Sequence, residues 1–390
     1  MLTVSRLYDP NSNFISKNNS RCVFTIPAGT LVNSKKIKLI NFTFENVDGT
    51  SLYYGPRGVW ETVKTMSITS LKGTTIDTLR NRGGLDVTGI YHLGRFDNGQ
   101  TYSIGRQVNE NMATSIFVES PSEISLTEVG ARGKAESMEI TLDLSSMSQY
   151  LQARTCIYEG FNLIIEWEDT VGNTLRLKNN KPPVLCLNEF LDSKILESEK
   201  NDMVEFNTLI QDRFYIGINS TGITTRMNAF FNQYINRLWY FNVFEDKENG
   251  MAYYSDGEKM NVFIDSKQFL TLQGNDTWAK KTSMLTDAYN ELTIPNGVSQ
   301  NLNYPLGLYN PNIQTAHELS EGYNKIFSYG CMELRKWIGN DITITYTQEA
   351  KAFVCYLYVV AEVARTYSKS KDQVGYMTVQ ATLAREAGKK

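Results

Sequence analysis

Residues able to do chemistry are few in this chain. Histidine occurs only as His92 and His317. A Ser-His-Asp triad needs one of them, and neither lies near a G-x-S-x-G elbow. A cupin-type metal centre leans on several histidines, more than the chain has. Each reads as a surface histidine or one satisfied within a loop. Cys22, Cys156, Cys186, Cys331 and Cys355 form no C-x-x-C pair and are odd in number. They read as buried thiols in a reducing compartment, not as a disulfide frame or a zinc site. Glu166, Glu168 and Asp169 could supply the paired carboxylates of a glycosidase. Their spacing better suits the polar face of a strand reaching a turn. Gly55-Pro-Arg-Gly58 and Arg80-Asn-Arg-Gly-Gly84 lack the G-x-x-x-x-G-K-[ST] phosphate cradle and read as turns. Asn18, Asn41, Asn219 and Asn275 each open an N-x-S/T triplet, and without a secretory leader these read as chance. The expectation is no catalytic residue, no cofactor, no metal ligand, and no disulfide.

A length of 390 residues allows two domains of ordinary size, each with its own core. The net charge of −3, with both signs mixed along the chain, argues against a dedicated nucleic-acid or anionic-membrane surface. The longest apolar run, residues 352–361, is about half a membrane span. Aromatic residues make up 12% of the chain. Most alternate with polar residues, which assigns them to core packing before stacking on bases or sugars.

The elements that must carry these residues are mainly strands. Residues 8–20 are rich in turn formers and read as an arm. Arg21–Ile26, Ile37–Phe44 and Val59–Leu71 are dense in β-branched and aromatic residues. In the second of these, Lys38, Ile40, Phe42 and Phe44 are expected on one face. Residues 73–115 read as a long excursion with one helix over Ile76–Arg82. Ser115–Val118, Ile124–Val129 and Glu136–Leu144 follow as strands. Residues 145–151 suggest one or two helical turns. Phe161–Trp167, Thr174–Leu177 and Val184–Leu196 complete the first half, with Val171-Gly-Asn173 as a tight turn. Glu197–Asp202 is charged and marks the boundary, giving domains of 1–198 and 199–390. The second half restarts with Val204–Leu209, Arg213–Ile218, Leu238–Phe244 and Met260–Leu272. Met227, Phe230, Phe231 and Tyr234 fall at helical spacing, as do residues following a cap at Asp276. Residues 296–325 form a second excursion, and three strands close the half.

The two halves echo each other. Setting Leu39 on Leu238 also sets Phe42 on Phe241 and Val63 on Val262, all 199 residues apart. Met138-Glu-Ile140 echoes Met332-Glu-Leu334 at an offset of 194. A repeat of this length is a whole domain. About eight strands per half with few helices point to sandwiches, and an eight-stranded two-sheet sandwich is a jelly roll. The fold expected is mainly β: two consecutive eight-stranded antiparallel jelly rolls with long loop or helix insertions. Val59–Leu71 and Met260–Leu272 are taken as the third strand, D, of their rolls.

With two sandwiches, a charged joint and a long insertion in each half, the chain resembles the double jelly-roll major capsid proteins of icosahedral DNA viruses. Such proteins occur in virophages, polinton-like viruses and tailless membrane-containing phages. Residues 133–151 are similar to that family's strand-then-short-helix passage, and Leu238–Phe244 to its aromatic strand in the second roll. The resemblance implies a structural protein of the virion, not an enzyme. It implies homotrimers whose six rolls mimic a hexagon and tile a shell. Partners would be further copies of the chain, penton and minor capsid proteins, with an internal membrane left open and no sequence-specific nucleic acid. The alternative reading is a jelly-roll carbohydrate-binding or spike protein; a glycosidase is a third.

Overall fold

The computed structural model describes residues 3–17, 19–49, 62–80, 108–109, 112–113, 140–144, 148–191, 195, 201–227, 233–244, 252–253, 259–272, 329–338, 342–350 and 354–376. The first half opens with β1 (Thr3–Tyr8), β2 (Ser12–Ser16), β3 (Asn19–Ile26) and β4 (Val32–Phe42). Then come β5 (Phe44–Asn46), β6 (Val63–Thr69), β7 (Thr75–Arg80), β8 (Val108–Asn109) and β9 (Met112–Ala113). After β10 (Ile140–Asp143), the short helix α1 (Gln149–Ala153) leads to β11 (Cys156–Ile157). β12 (Phe161–Trp167), β13 (Leu175–Leu177) and β14 (Val184–Phe190) end the half. The second half holds β15 (Met203–Ile216), β16 (Gly222–Arg226), β17 (Tyr234–Phe244), β18 (Ala252–Tyr253) and β19 (Lys259–Ile264). It closes with β20 (Lys267–Leu272), β21 (Tyr329–Ile338), β22 (Ile342–Thr347), β23 (Cys355–Ser368) and β24 (Gln373–Tyr376).

Period-two burial explains why these segments are strands. In β12, Phe161, Leu163, Ile165 and Trp167 point inward while the residues between them are half-buried. β3, β19 and β22 repeat the pattern, as strands with one face on a core do. The two main sheets of the first half run β1-β14-β4-β10 and β2-β3-β12-β6-β7. Those of the second run β15-β23-β17-β21 and β16-β22-β19-β20. Lettered B to I in chain order, both halves give B-I-D-G facing C-H-E-F, the order of a jelly roll. Every described strand pair is antiparallel, and no described sheet joins a strand before residue 195 to one after residue 201.

Several sequence expectations are corrected. Of the helix expected over Ile76–Arg82, the described part is strand: Thr75–Arg80 is strand F of the first roll. Val63–Thr69, within the expected Val59–Leu71, is strand E, not D, and Met260–Leu272 spans E and F, joined at Asp265 and Ser266, both at positive φ. The supposed arm is the end of strand B followed by a hairpin of β2 on β3. The face assigned to Ile37–Phe44 is also wrong. Asn41 sits at φ 63, and two residues of β4, Ile40 and Asn41, oppose the single Thr141 of β10 there, which is a bulge. The extra residue switches the face, so Ile37, Leu39, Phe42 and Phe44 are all buried while Lys38 is exposed. Met227 precedes and Tyr234 begins a strand, with Phe230 and Phe231 between them outside the described residues. The strands expected at 115–118 and 124–129, the helix after Asp276 and the excursion 296–325 also lie outside them.

In each roll the longest connection joins F to G, through residues 81–139 and 273–328. Because consecutive strands alternate in direction, B–C, D–E, F–G and H–I share one end, called upper here. The E–F turn of the first roll touches the chain just beyond strand I of the second: Thr74 Oγ1 lies 2.9 Å from Asp372 Oδ2. Both are lower ends, so in both rolls strand F ends and strand G begins at the same, upper end.

The central strands of the second B-I-D-G sheet, β23 and β17, are buried on both faces along most of their length. Along β23, Leu357, Val359, Ala361 and Val363 enter the second roll's own core. Tyr358 and Val360 between them join a cluster continuous with the core of the first roll. Along β17, Leu238 and Tyr240 go one way, Trp239 and Phe241 the other. A strand buried on both faces reads as a near-continuous apolar run, broken here where Arg237 of β17 pairs with Glu362 of β23 and at the buried Asn242. That accounts for the apolar run ending at Ala361. No described helix is long and apolar enough to cross a membrane.

Candidate functional surface

The structure first disperses the chemical candidates. His92, His317, Gly55–Gly58 and residues 81–84 lie outside the described residues. Glu166 is half-buried on β12 and accepts a 2.8 Å hydrogen bond from Thr65 Oγ1. Asp169 is exposed beyond the strand end and lies 3.6 Å from Lys64 Nζ. These carboxylates form the polar edge of a strand, as their spacing suggested. Cys22, Cys156 and Cys355 are buried thiols and Cys186 is half-buried; Cys331 lies on β21. Burial pushes the Cys22 thiol far up, which leaves it a packing group and not a nucleophile. Among the described residues no three or more His, Cys, Asp or Glu side chains gather as metal ligands would.

What the fold does bring together is a seam between the rolls. Ser148 caps α1, accepting from Leu151 N at 3.3 Å. The same hydroxyl donates to Asp77 Oδ2 at 2.6 Å. Thr208, on β15 of the other roll, donates to Asp77 Oδ1 at 2.8 Å. Asp77 is 2% exposed, so a buried carboxylate is held by one hydroxyl from each roll. Arg365 of β23 donates to the Ile76 carbonyl at 3.3 Å.

Aromatic packing lies beside this pin. α1 delivers Tyr150 into the seam, with its ring centroid 5.3 Å from Phe206 and 6.1 Å from Tyr367. Both contacts are edge-on, the favoured arrangement for aromatic pairs. Arg154, 4% exposed, lies over the Tyr150 ring and pairs with Glu159. Burial alone would raise the Glu159 carboxyl, but the Arg154 hydrogen bond and charge outweigh it and hold the group below its ordinary value. At the lower rim Asp372 accepts from Thr74 at 2.9 Å and from the Tyr367 hydroxyl at 3.0 Å. Desolvation opposes the charge of Asp372, and hydrogen bonds from Ser70, Thr74 and Tyr367 win, so its carboxyl is lowered too. Asp202 is lowered by hydrogen bonds from Ser368 and Ser370. The arrangement is suited to holding two rolls rigidly side by side. The sequence marked the passage 133–151, which holds Ser148 and Tyr150, and the boundary ending at Asp202, but none of the contacts of the seam. A buried Asp in a strand of alternating pattern was the available signal, hidden by reading that segment as a helix.

No family model matches the chain, and no curated protein matches it by sequence. Solved structures do match it over nearly its whole length. The capsid of PBCV-1 virus is similar with a TM-score of 0.53 and 10% identity, over 97% of this chain and 97% of that one. The Faustovirus major capsid protein gives 0.52 and 9%, over 93% and 90%. The mavirus major capsid protein gives 0.50 and 10%, over 97% and 92%. At such identities the similarity is one of fold: the chain is a double jelly roll of the kind found in these capsid proteins.

Proposed function

We propose that this chain is the structural subunit of an icosahedral virus shell and resides in the virion. The observation that carries the reading is the pair of B-I-D-G/C-H-E-F rolls in one chain, lower ends fastened together and longest connections leaving at one end. Two rigidly joined rolls present two similar units to their neighbours, so three copies present six. The finer reading is a homotrimer of nearly hexagonal outline, with the boundary between rolls at residues 197–203. Closed rings are a common way for identical chains to bury large interfaces. Penton and minor capsid proteins would be further partners. Light scattering on the purified protein should give three chain masses, and electron microscopy should show six-lobed particles. A stable monomer at micromolar concentration in assembly buffer overturns the trimer. Thiol titration of the denatured, unreduced protein should find all five cysteines free, and a chelator should leave Tm unchanged.

A further inference from the structure

The face of the second B-I-D-G sheet that carries Trp239 and Phe241 is sealed along its lower part and open at its upper end. Register fixes the neighbours there. Arg213 opposes Tyr358 and Tyr215 opposes Tyr356 across β15 and β23, so all four share that face. Tyr358 is 5% exposed and stacks on Phe241, rings 5.3 Å apart and 6° from parallel. One step further up, the burial ends. Tyr215 is 59% exposed, as is Ile218 just beyond it.

The open end is nevertheless ordered. The Tyr215 ring meets Tyr356 edge-on at 5.9 Å. On another side it lies against Gly217, where a Cβ would come within 3.3 Å of Tyr215 Cε1. The Arg213 guanidinium lies over the Tyr356 ring at 4.7 Å. Stacking uses the flat face of a guanidinium and leaves its in-plane N–H donors pointing outward. No carboxylate among the described residues pairs with Arg213. A fixed, exposed aromatic face therefore stands beside a fork of donors that no described carboxylate neutralises.

We propose that Arg213, Tyr215 and Tyr356 form a binding site for carboxylated saccharides. The C–H face of a pyranose packs on an aromatic ring, here Tyr215. A sugar carboxylate takes two parallel N–H bonds from an arginine fork, here Arg213. Tyr356 touches neither directly; it holds both in place. Charge complementarity selects the acidic sugar over a neutral one. The site lies at the same end as the F–G connections, on the outer side of the particle in the shell reading. Its own argument rests on strand register and exposure, so it stands or falls separately from that reading.

The test uses the full-length protein in its assembled state, titrated with 3′-sialyllactose and digalacturonate, with lactose as the neutral control. Saturation-transfer NMR reports contact and calorimetry the affinity. Both acidic ligands should bind more tightly than lactose. Arg213→Gln should weaken them by about tenfold or more and remove the preference over lactose. Tyr215→Ala should weaken all binding while leaving the oligomeric state and Tm unchanged. Absence of binding to either acidic ligand at about 10 mM, an affinity below any specific site, overturns the proposal. So does equal binding of lactose. A Tyr215→Ala variant that loses its oligomeric state also overturns it, since the face would then be a contact between copies.

Discussion

Asp77 and Thr208 are 131 residues apart in the chain, yet Thr208 Oγ1 lies 2.8 Å from Asp77 Oδ1. The carboxylate is buried and its second oxygen is taken by Ser148 at 2.6 Å. Charged hydrogen bonds of this kind contribute about 1.5–3 kcal/mol each. Thr208→Val keeps the shape and removes one donor, so urea unfolding should show a loss of about 1.5–3 kcal/mol. Asp77→Ala leaves two buried hydroxyls facing a void and should cost more. In a double-mutant cycle the two substitutions should couple by at least about 0.5 kcal/mol. Additive losses would mean that the pair does not join the rolls.

The lower rim should loosen in acid. Asp372 is held below its ordinary value of 3.8 by Ser70, Thr74 and Tyr367, and Glu159 below 4.5 by Arg154. A carboxylate lowered in the folded state contributes stability that is fully present above its unfolded value. That contribution is lost as pH falls through the lower, folded value. Stability should therefore hold steady down to about pH 5 and fall below it. Asp372→Asn should flatten part of that slope while leaving the neutral-pH curve shape intact. Because Asp372 is partly exposed, its share is screened and should shrink in high salt. An unchanged acid limb in this variant would exclude Asp372 from the acid response.

How much was legible in the sequence follows from what sets each feature. The repeat placed matching strands correctly: Leu39 and Leu238 both lie in D, Val63 and Val262 both in E. It could not place faces. Phe42 belongs to the first roll's own core because the bulge at Asn41 turned it inward, whereas Phe241 points away from the core of the second. Nor could it fix register in strand G. Leu142 opposes Leu39 while Met332 opposes Leu238, an offset of 190 and not the 194 of the sequence echo. A one-residue bulge changes every side chain after it, and no local composition announces it. Strand F escaped because Thr75–Arg80 is short and lies beside a long insertion. The seam escaped for a different reason: its groups are ordinary until a second roll covers them.

Burial on both faces of the second B-I-D-G sheet sets a further expectation. Trp239 is fully buried in the cluster shared with the first roll, while Tyr215, on the same face, is 59% exposed. Trp239→Ala should destabilise by about 3–5 kcal/mol. Tyr215→Ala should change stability by about 0.5 kcal/mol or less. Thermal unfolding of the two variants separates them. Similar small losses would show that the face carrying Trp239 is not a core.

The last prediction concerns which end of the molecule faces outward. The sequence reading placed both insertions in D–E connections, and the structure moves both to F–G. Both connections lie at the upper end, so the assignment of ends survives the corrected strand. Thr3 and Ser368 lie at the lower end, where strand B begins and strand I finishes. In a shell built of upright rolls, one end faces solvent and the other the interior. Long connections need room, and insertions are tolerated where the backbone is not part of a sheet. An epitope inserted at Asp97–Gly99 or Asn310–Asn312 should therefore bind antibody on intact particles. The same epitope at residue 1 or 390 should be reached only after the particles are broken. Antibody binding in the reverse pattern would invert the orientation. Equal binding at all four positions would mean that the chain does not form a closed shell.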